Sequence, residues 1–297
     1  MENFIHSGEW LALASAVVWA VAVILFRISG FSLHPLSLNL GKNLFALILI
    51  VLTAILTGTS FCPPAGSGPT LLLLLSGFLG IAVSDTLFLW TLKLLGASLT
   101  AIVDCVYAPF VIGLSYLFLG ERLTAVELLG VMMIVSAVVT ISASDADNGG
   151  PSSRKHLILG ILMGISAMAF VAVGIVIIKP VLKDLPVLWA TGVRLVGGTM
   201  PLLLLPLFKK TRENLRPLLK LSTWKVLGPA SFLGTFLSLI FWIGGMKYTF
   251  ASVASALNQL STIFIFILAA VFLKEKVTSS RLIAVALAFV GAFMATY

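Results

Sequence analysis

The chain has 297 residues, 60% of them hydrophobic and only 10% charged, with a mean hydropathy of +1.14, which excludes a soluble globular protein. Its formal net charge of +8 sits almost wholly at the ends of apolar runs and no aromatic-basic face accompanies it, so it anchors helices rather than marking a nucleic-acid partner. Cys62 (in a loop) and Cys105 (inside an apolar run) are poorly placed to pair, and His6, His34 and His156 are scattered at helix ends, so no metal or cofactor site is expected.

Ten apolar runs follow, at roughly 8–27, 34–57, 69–91, 98–118 and 124–143, then 156–178, 186–208, 223–246, 251–272 and 279–296. At about 1.5 Å per residue each can cross a hydrocarbon core of about 30 Å, and the two-residue alternation of a membrane strand is absent. The predicted fold is therefore an all-α integral membrane protein of ten transmembrane helices. The acidic N-terminus (Glu2, Glu9) marks the first run as a retained helix rather than a signal peptide. Pro109, in the fourth run, removes a backbone hydrogen bond and predicts a kink there. Gly160 and Gly164, in the sixth, form a small-xxx-small packing seam.

The runs fall into two sets of five. A shift of 154 residues lays Phe78-Leu79-Gly80 on Phe232-Leu233-Gly234, Lys93 on Lys247 and Ala97-Ser98 on Ala251-Ser252. The match continues from Leu119-Gly120-Glu121-Arg122-Leu123-Thr124 to Leu273-Lys274-Glu275-Lys276-Val277-Thr278. A shift of 152 pairs Arg27 with Lys179 and Lys42 with Arg194. Only Ser144 to Lys155 has linker composition, which predicts repeats at 1–148 and 149–297. An odd number of helices per repeat inverts the second against the first, and such bundles place their site near the midplane between halves. Ile263 occupies the place of Pro109 in the second half, so the kink is not expected to be shared. Glu121 and Glu275, in the repeated turn, read as caps of the fifth and tenth helices.

Thirteen Lys and Arg residues fall in the 1–2, 3–4, 5–6, 7–8 and 9–10 connections, against four on the face shared with the termini. Basic loops stay cytoplasmic, so this count puts both termini outside.

Four ionisable side chains lie well inside runs: Lys42, Asp85, Asp104 and Arg194. Charge at the bilayer centre is costly and by default functional. By depth along their helices the first three share one level, and Arg194 enters from the opposite face alongside Asn258 and Gln259. Asp85 and Asp104 correspond to Leu239 and Asn258, so the carboxylates belong to one half only. Two neighbouring carboxylates resist joint ionisation and can carry a proton between faces; alternatively, Lys42 neutralises one of them in a structural ion pair. Trp19, Trp90, Tyr107 and Trp242 in the same layer could line a cavity, with Trp90 and Trp242 equally readable as interface residues; Ser84, Asn39, Asn43, Ser238 and Ser261 add hydrogen-bonding capacity. No catalytic residue and no ATP-binding motif is recognised.

The duplicated five-helix layout, with Gly80, Asp85, Lys93 and Gly96-Ala97-Ser98 leading into the repeated turn, resembles the drug/metabolite transporter superfamily, EamA type. The resemblance covers nearly the whole chain. It implies a secondary transporter, commonly an exporter, and places the family's basic residue of the second helix at Lys42 and Arg194. It also implies cytoplasmic termini, against the charge count. Asp85 departs from the aromatic or small residue usual there and marks a subgroup. The expectation is a multi-pass inner (plasma) membrane exporter of a small organic metabolite such as an amino acid, working by alternating access and coupled to protons at Asp85 and Asp104. Its partners would be that solute and the lipid bilayer, with no nucleic acid, in a monomer or homodimer. A lipid-linked substrate flippase is the alternative in the same class; an intramembrane enzyme is disfavoured.

Overall fold

The computed structural model describes residues 2–59, 66–120, 124–147 and 154–294. Among them there is no strand, and ten helical spans follow in order. The N-terminal five are α1 (Glu2–Ser29), α2 (Pro35–Thr57), α3 (Ser67–Leu95), α4 (Ala97–Leu119) and α5 (Ala125–Asp147). The C-terminal five are α6 (Arg154–Leu182), α7 (Val187–Leu202), α8 (Leu221–Tyr248), α9 (Ala251–Asn258 and Ser261–Phe272) and α10 (Ser279–Met294). Seven spans, α1 to α4, α6, α7 continued to Leu207, and α8, are long and apolar enough to cross a bilayer unaided; α5, α9 and α10 carry shorter apolar stretches. Cys62, Glu121, the Pro63-Pro64 turn and linker residues 148–153 lie outside the described residues; Cys105 is a buried free thiol.

The solvent this fold is built for is lipid. Leu56, Leu117, Phe118, Val271 and Phe272 are exposed, while Lys42, Asn43, Thr191 and Arg194 are buried. In hydrocarbon the backbone must find its partners within the protein, so helix ends are closed by local residues and by side chains from other helices. His34 starts α2 by accepting the Leu36 N–H on Nδ1 (3.3 Å), with Pro35 in the first turn, and Gly58 closes it with φ +66°. Burial, helped by the nearby Lys93 charge, lowers the His34 pKa and keeps Nδ1 available as an acceptor. Arg27 donates to the carbonyls of Leu92 (2.7 Å) and Lys93 (2.9 Å), which end α3; its repeat partner Lys179 donates to those of Met246 and Thr249, which end α8.

Glu275 does not cap its own helix. Its carboxylate accepts the N–H groups of Ala97 (2.8 Å) and Ser98 (2.9 Å), so it caps α4 of the other repeat. The α9–α10 turn passes over the start of α4, where unpaired N–H groups and the positive end of the helix dipole face it. Gly96 permits the approach: its φ is +85°, and a Cβ there would stand 2.7 Å from Glu275 Oε1.

Both halves leave regular α geometry at equivalent places. Phe78–Ser84 in α3 and Phe232–Leu237 in α8 are wound as π-helix, starting 154 residues apart as the repeat requires. A second irregularity corrects the sequence expectation. α4 breaks at Cys105 and Val106, one turn before Pro109, but α9 breaks at the equivalent Gln259 and Leu260 with Ile263 in the proline's place. The kink is therefore shared. Cross-repeat side chains join the two breaks. Gln259 Nε2 donates to the Asp104 carbonyl (3.1 Å), and Thr262 Oγ1 donates to the Ala101 carbonyl (3.2 Å) and contacts Cys105 Sγ (3.2 Å). Each break is seated against the other, and side chains that take up carbonyls in this way help Pro109 to open α4.

The repeats interdigitate rather than sit side by side. α1 packs on α8 and α9, α6 on α3 and α4, and α5 on α10. Gly160 and Gly164 belong to the second contact, beneath Leu95 and Val103. The tightest crossing is α3 against α7: a Cβ at Gly77 would overlap the Arg194 carbonyl, and one at Gly197 the Leu74 carbonyl. Backbones in such contact tolerate no side chain, and the crossing fixes where Arg194 begins.

Candidate functional site

At the level of the two breaks the bundle encloses a cavity of about 130 Å³. One water needs some 10–15 Å³ on this measure, so the space suits roughly ten waters or one small organic solute. All ten residues singled out from the sequence line it: Trp19, Lys42, Ser84, Asp85, Asp104, Tyr107, Arg194, Trp242, Asn258 and Gln259. Of the additional polar residues, Ser238 and Ser261 also line it, whereas Asn39 and Asn43 stand behind it; Trp90 lies away from it, edge-on to His34.

The charges are arranged in two ways. Lys42 Nζ, nearly fully buried, is 2.5 Å from Asp85 Oδ2, and Asp85 keeps 24% of its side chain exposed. Behind them Lys42 donates to Asn43 Oδ1 (3.0 Å), Asn43 to Asn39 Oδ1 (2.9 Å), and Asn39 to the Ile81 carbonyl and Thr86 Oγ1 (2.9 Å each). Ile81 belongs to the π segment, so this chain ends on a carbonyl that the irregular winding presents. Asp85 thus pairs with Lys42 and not with a second carboxylate; the ion-pair reading describes Asp85.

Arg194 and Asp104 are different. Arg194 is 1% exposed and its guanidinium stacks over the Trp242 ring at 5.1 Å, but among the described residues Nε and Nη1 have no hydrogen-bond partner and no carboxylate lies within ion-pair distance. Asp104 Oδ1 is equally buried and unpartnered, as are Tyr107 Oη, Thr235 Oγ1 and Asn258 Oδ1. Six buried polar atoms lacking a partner, on five residues around one small space, are far above what a finished interior tolerates. Leaving each unpaired costs about 1–3 kcal/mol, so the wall is built to be completed by something polar. Trp19, against Phe88 (5.5 Å) and Phe26 (6.2 Å), gives the opposite side an apolar, aromatic surface.

The sequence reading missed two polar residues of the lining, along with apolar ones such as Phe88 and Met168. Thr235, in the π segment of α8, takes the place of Ile81, a departure that the 154-residue alignment displays. Ser15, bonded to Ser238 across the repeats (3.1 Å), carries no such signal beyond replacing Ala167.

Comparison with known proteins agrees with this architecture. The sequence profile of the EamA-like transporter family matches residues 6–143 and, separately, 158–297. A solved crystal structure, titled only as that of a protein, is similar with a TM-score of 0.72 and 17% identity over 98% of this chain and 96% of its own; at that identity it speaks for the fold alone. No curated protein matches by sequence.

Proposed function

The chain belongs to the EamA-like transporter family, a multi-pass membrane transporter of the drug/metabolite type, and from that premise we propose a secondary active exporter of a small organic metabolite such as an amino acid. Transport proceeds by alternating access, with residues 1–148 and 149–297 as the two moving repeats, in the cell's inner membrane. The observation that carries this reading is the pair of charges without countercharge, Arg194 and Asp104, on the wall of one cavity between two broken helices. A zwitterion answers both: its carboxylate takes the Arg194 donors beside Tyr107, and its ammonium takes Asp104 and Asn258. Asp104 then binds either the ammonium or a proton. Protonation from one face removes the charge that holds the solute and so exchanges the two. Lys42 and Asp85, already neutralised by each other, serve to hold the π segment and the cavity wall rather than to carry the proton.

Purified protein in detergent would be screened for thermal stabilisation by amino acids, amines and organic acids. A zwitterion that binds the native state raises the melting temperature by mass action. The hit is then assayed in vesicles with an imposed pH gradient. Asp104→Asn is expected to retain downhill exchange of the solute and to lose accumulation driven by the gradient. Gradient-driven accumulation that persists in this variant overturns the coupling role, and binding untouched by Asp104→Asn and Arg194→Gln together overturns the site.

A further inference from the structure

The segment joining α7 to α8 is unlike its repeat equivalent. It runs as short helical pieces, Leu205–Leu207, Lys209–Leu215 and Arg216–Leu219. Lys209, Arg212, Arg216, Lys220 and Lys225 are all exposed along it, with Glu213 its one acid, and none of the five makes an ion pair among the described residues. Leu203, Leu204, Leu207 and Phe208 are exposed just ahead of them, and Leu219 and Leu221 among them. The corresponding connection of the first repeat, Gly58 to Gly66, contains no charged residue. The two connections lie on opposite faces of the inverted repeats, so the cations follow the face and not the repeat fold, and they gather on this one segment more than on any other of that face.

The inner side of the segment is fixed. Ser37 Oγ donates to the Asn214 carbonyl (2.7 Å) and Trp224 Nε1 to that of Leu218 (2.8 Å). Leu205 and Leu215 pack with Leu40, Ala82 and Leu202, and Leu218 lies over Gly41, next to Lys42. What remains outside is a held surface where leucines and a phenylalanine adjoin five cations, between the end of the apolar span 187–207 and the start of the next at Leu221. Water suits the cations but not the leucines, and hydrocarbon the reverse; the headgroup boundary suits both.

We propose that residues 203–225 form an interfacial strap that binds the anionic phospholipid headgroups of the leaflet it faces, with the leucines and Phe208 in the acyl boundary and the cations on the phosphates. The charge imbalance, five exposed cations to one acid, selects anionic over zwitterionic lipid, since each Lys or Arg near such a surface adds to the attraction and salt screens it. The inference stands on the strap alone and does not require the transport reading.

The test uses the full chain in neutral detergent, with phosphatidylglycerol or phosphatidylcholine added and the melting temperature followed. Phosphatidylglycerol is expected to raise it by several degrees more than phosphatidylcholine does, and added salt to reduce the difference. Lys209→Gln/Arg212→Gln/Arg216→Gln should lose at least half of the difference. Lys155→Gln/Lys274→Gln/Lys276→Gln, which removes three exposed cations elsewhere, should keep it. If the strap triple variant fails to fold, Arg216→Gln and Lys209→Gln/Arg212→Gln are each expected to lose a part. Equal effects of the two lipids, equal losses in strap and control variants, or the same rise with inorganic phosphate would each overturn the proposal.

Discussion

In the N-terminal half α3 is π-wound at 78–84 and α4 breaks at Cys105; in the C-terminal half α8 is π-wound at 232–237 and α9 breaks at Gln259. The cations that cap α3 and α8, Arg27 and Lys179, are equally matched. At the cavity the matching stops. The first half supplies both carboxylates and a lysine already paired; the second supplies an unpaired guanidinium, Leu239 in place of Asp85 and Asn258 in place of Asp104. Duplication has kept the backbone irregularities and varied the polar groups of the cavity wall. Where the repeats agree, the shared feature serves the fold; where they disagree, one half carries a closed ion pair, Lys42 with Asp85, and the other an unpaired guanidinium, Arg194.

The sharpest way to break this division is at the two repeat-related cations. Arg194→Gln removes donors with no other partner, so the fold should persist while solute affinity falls about ten- to a hundredfold, as expected for a charged hydrogen bond of about 1.5–3 kcal/mol; binding isotherms decide it. Lys42→Met should act on the fold instead. It leaves Asp85 without its partner, at a cost of about 1–3 kcal/mol, less than for a fully buried pair because Asp85 is partly exposed. Adding Asp85→Leu, the residue its twin position carries, should recover most of that loss. A double variant no more stable than Lys42→Met, by thermal unfolding in detergent, would deny that the pair is structural.

The smallest effect is expected at the cross-repeat cap. Glu275→Gln keeps an acceptor for Ala97 or Ser98 but not the charge at the helix terminus, a loss of about 0.5–1 kcal/mol. Because that contact joins the halves on one face only as far as the described residues go, weakening it should raise labelling from that face of a cysteine placed in the cavity, with little change in melting temperature.

The spans and the cavity residues were legible because an apolar chain makes every ionisable or amide side chain conspicuous: Lys42, Asp85, Asp104, Arg194 and Asn258 announce themselves against leucine. The break in α9 was not legible, since no proline marks it and Gln259 and Thr262 beside it bond carbonyls in the other half. Glu275 misled for the same reason. Its turn reads as a local cap, and only the packing of the repeats reveals the longer reach. Local signals report local structure, and this bundle is held together by contacts across about 150 residues.

That interleaving also sets a timetable for the newly made chain. α1 rests on α8 and α9, so its partners are translated some 200 residues after it. At about 5–20 residues per second the first helix waits roughly 10–40 s in the membrane with Ser15 and the other groups meant for α8 unmatched. During that interval the emerging first half is a client for whatever assists membrane insertion, and its maturation is post-translational in all but name: the protein assembles from its two repeats much as a dimer does, with the second subunit delivered by the same ribosome.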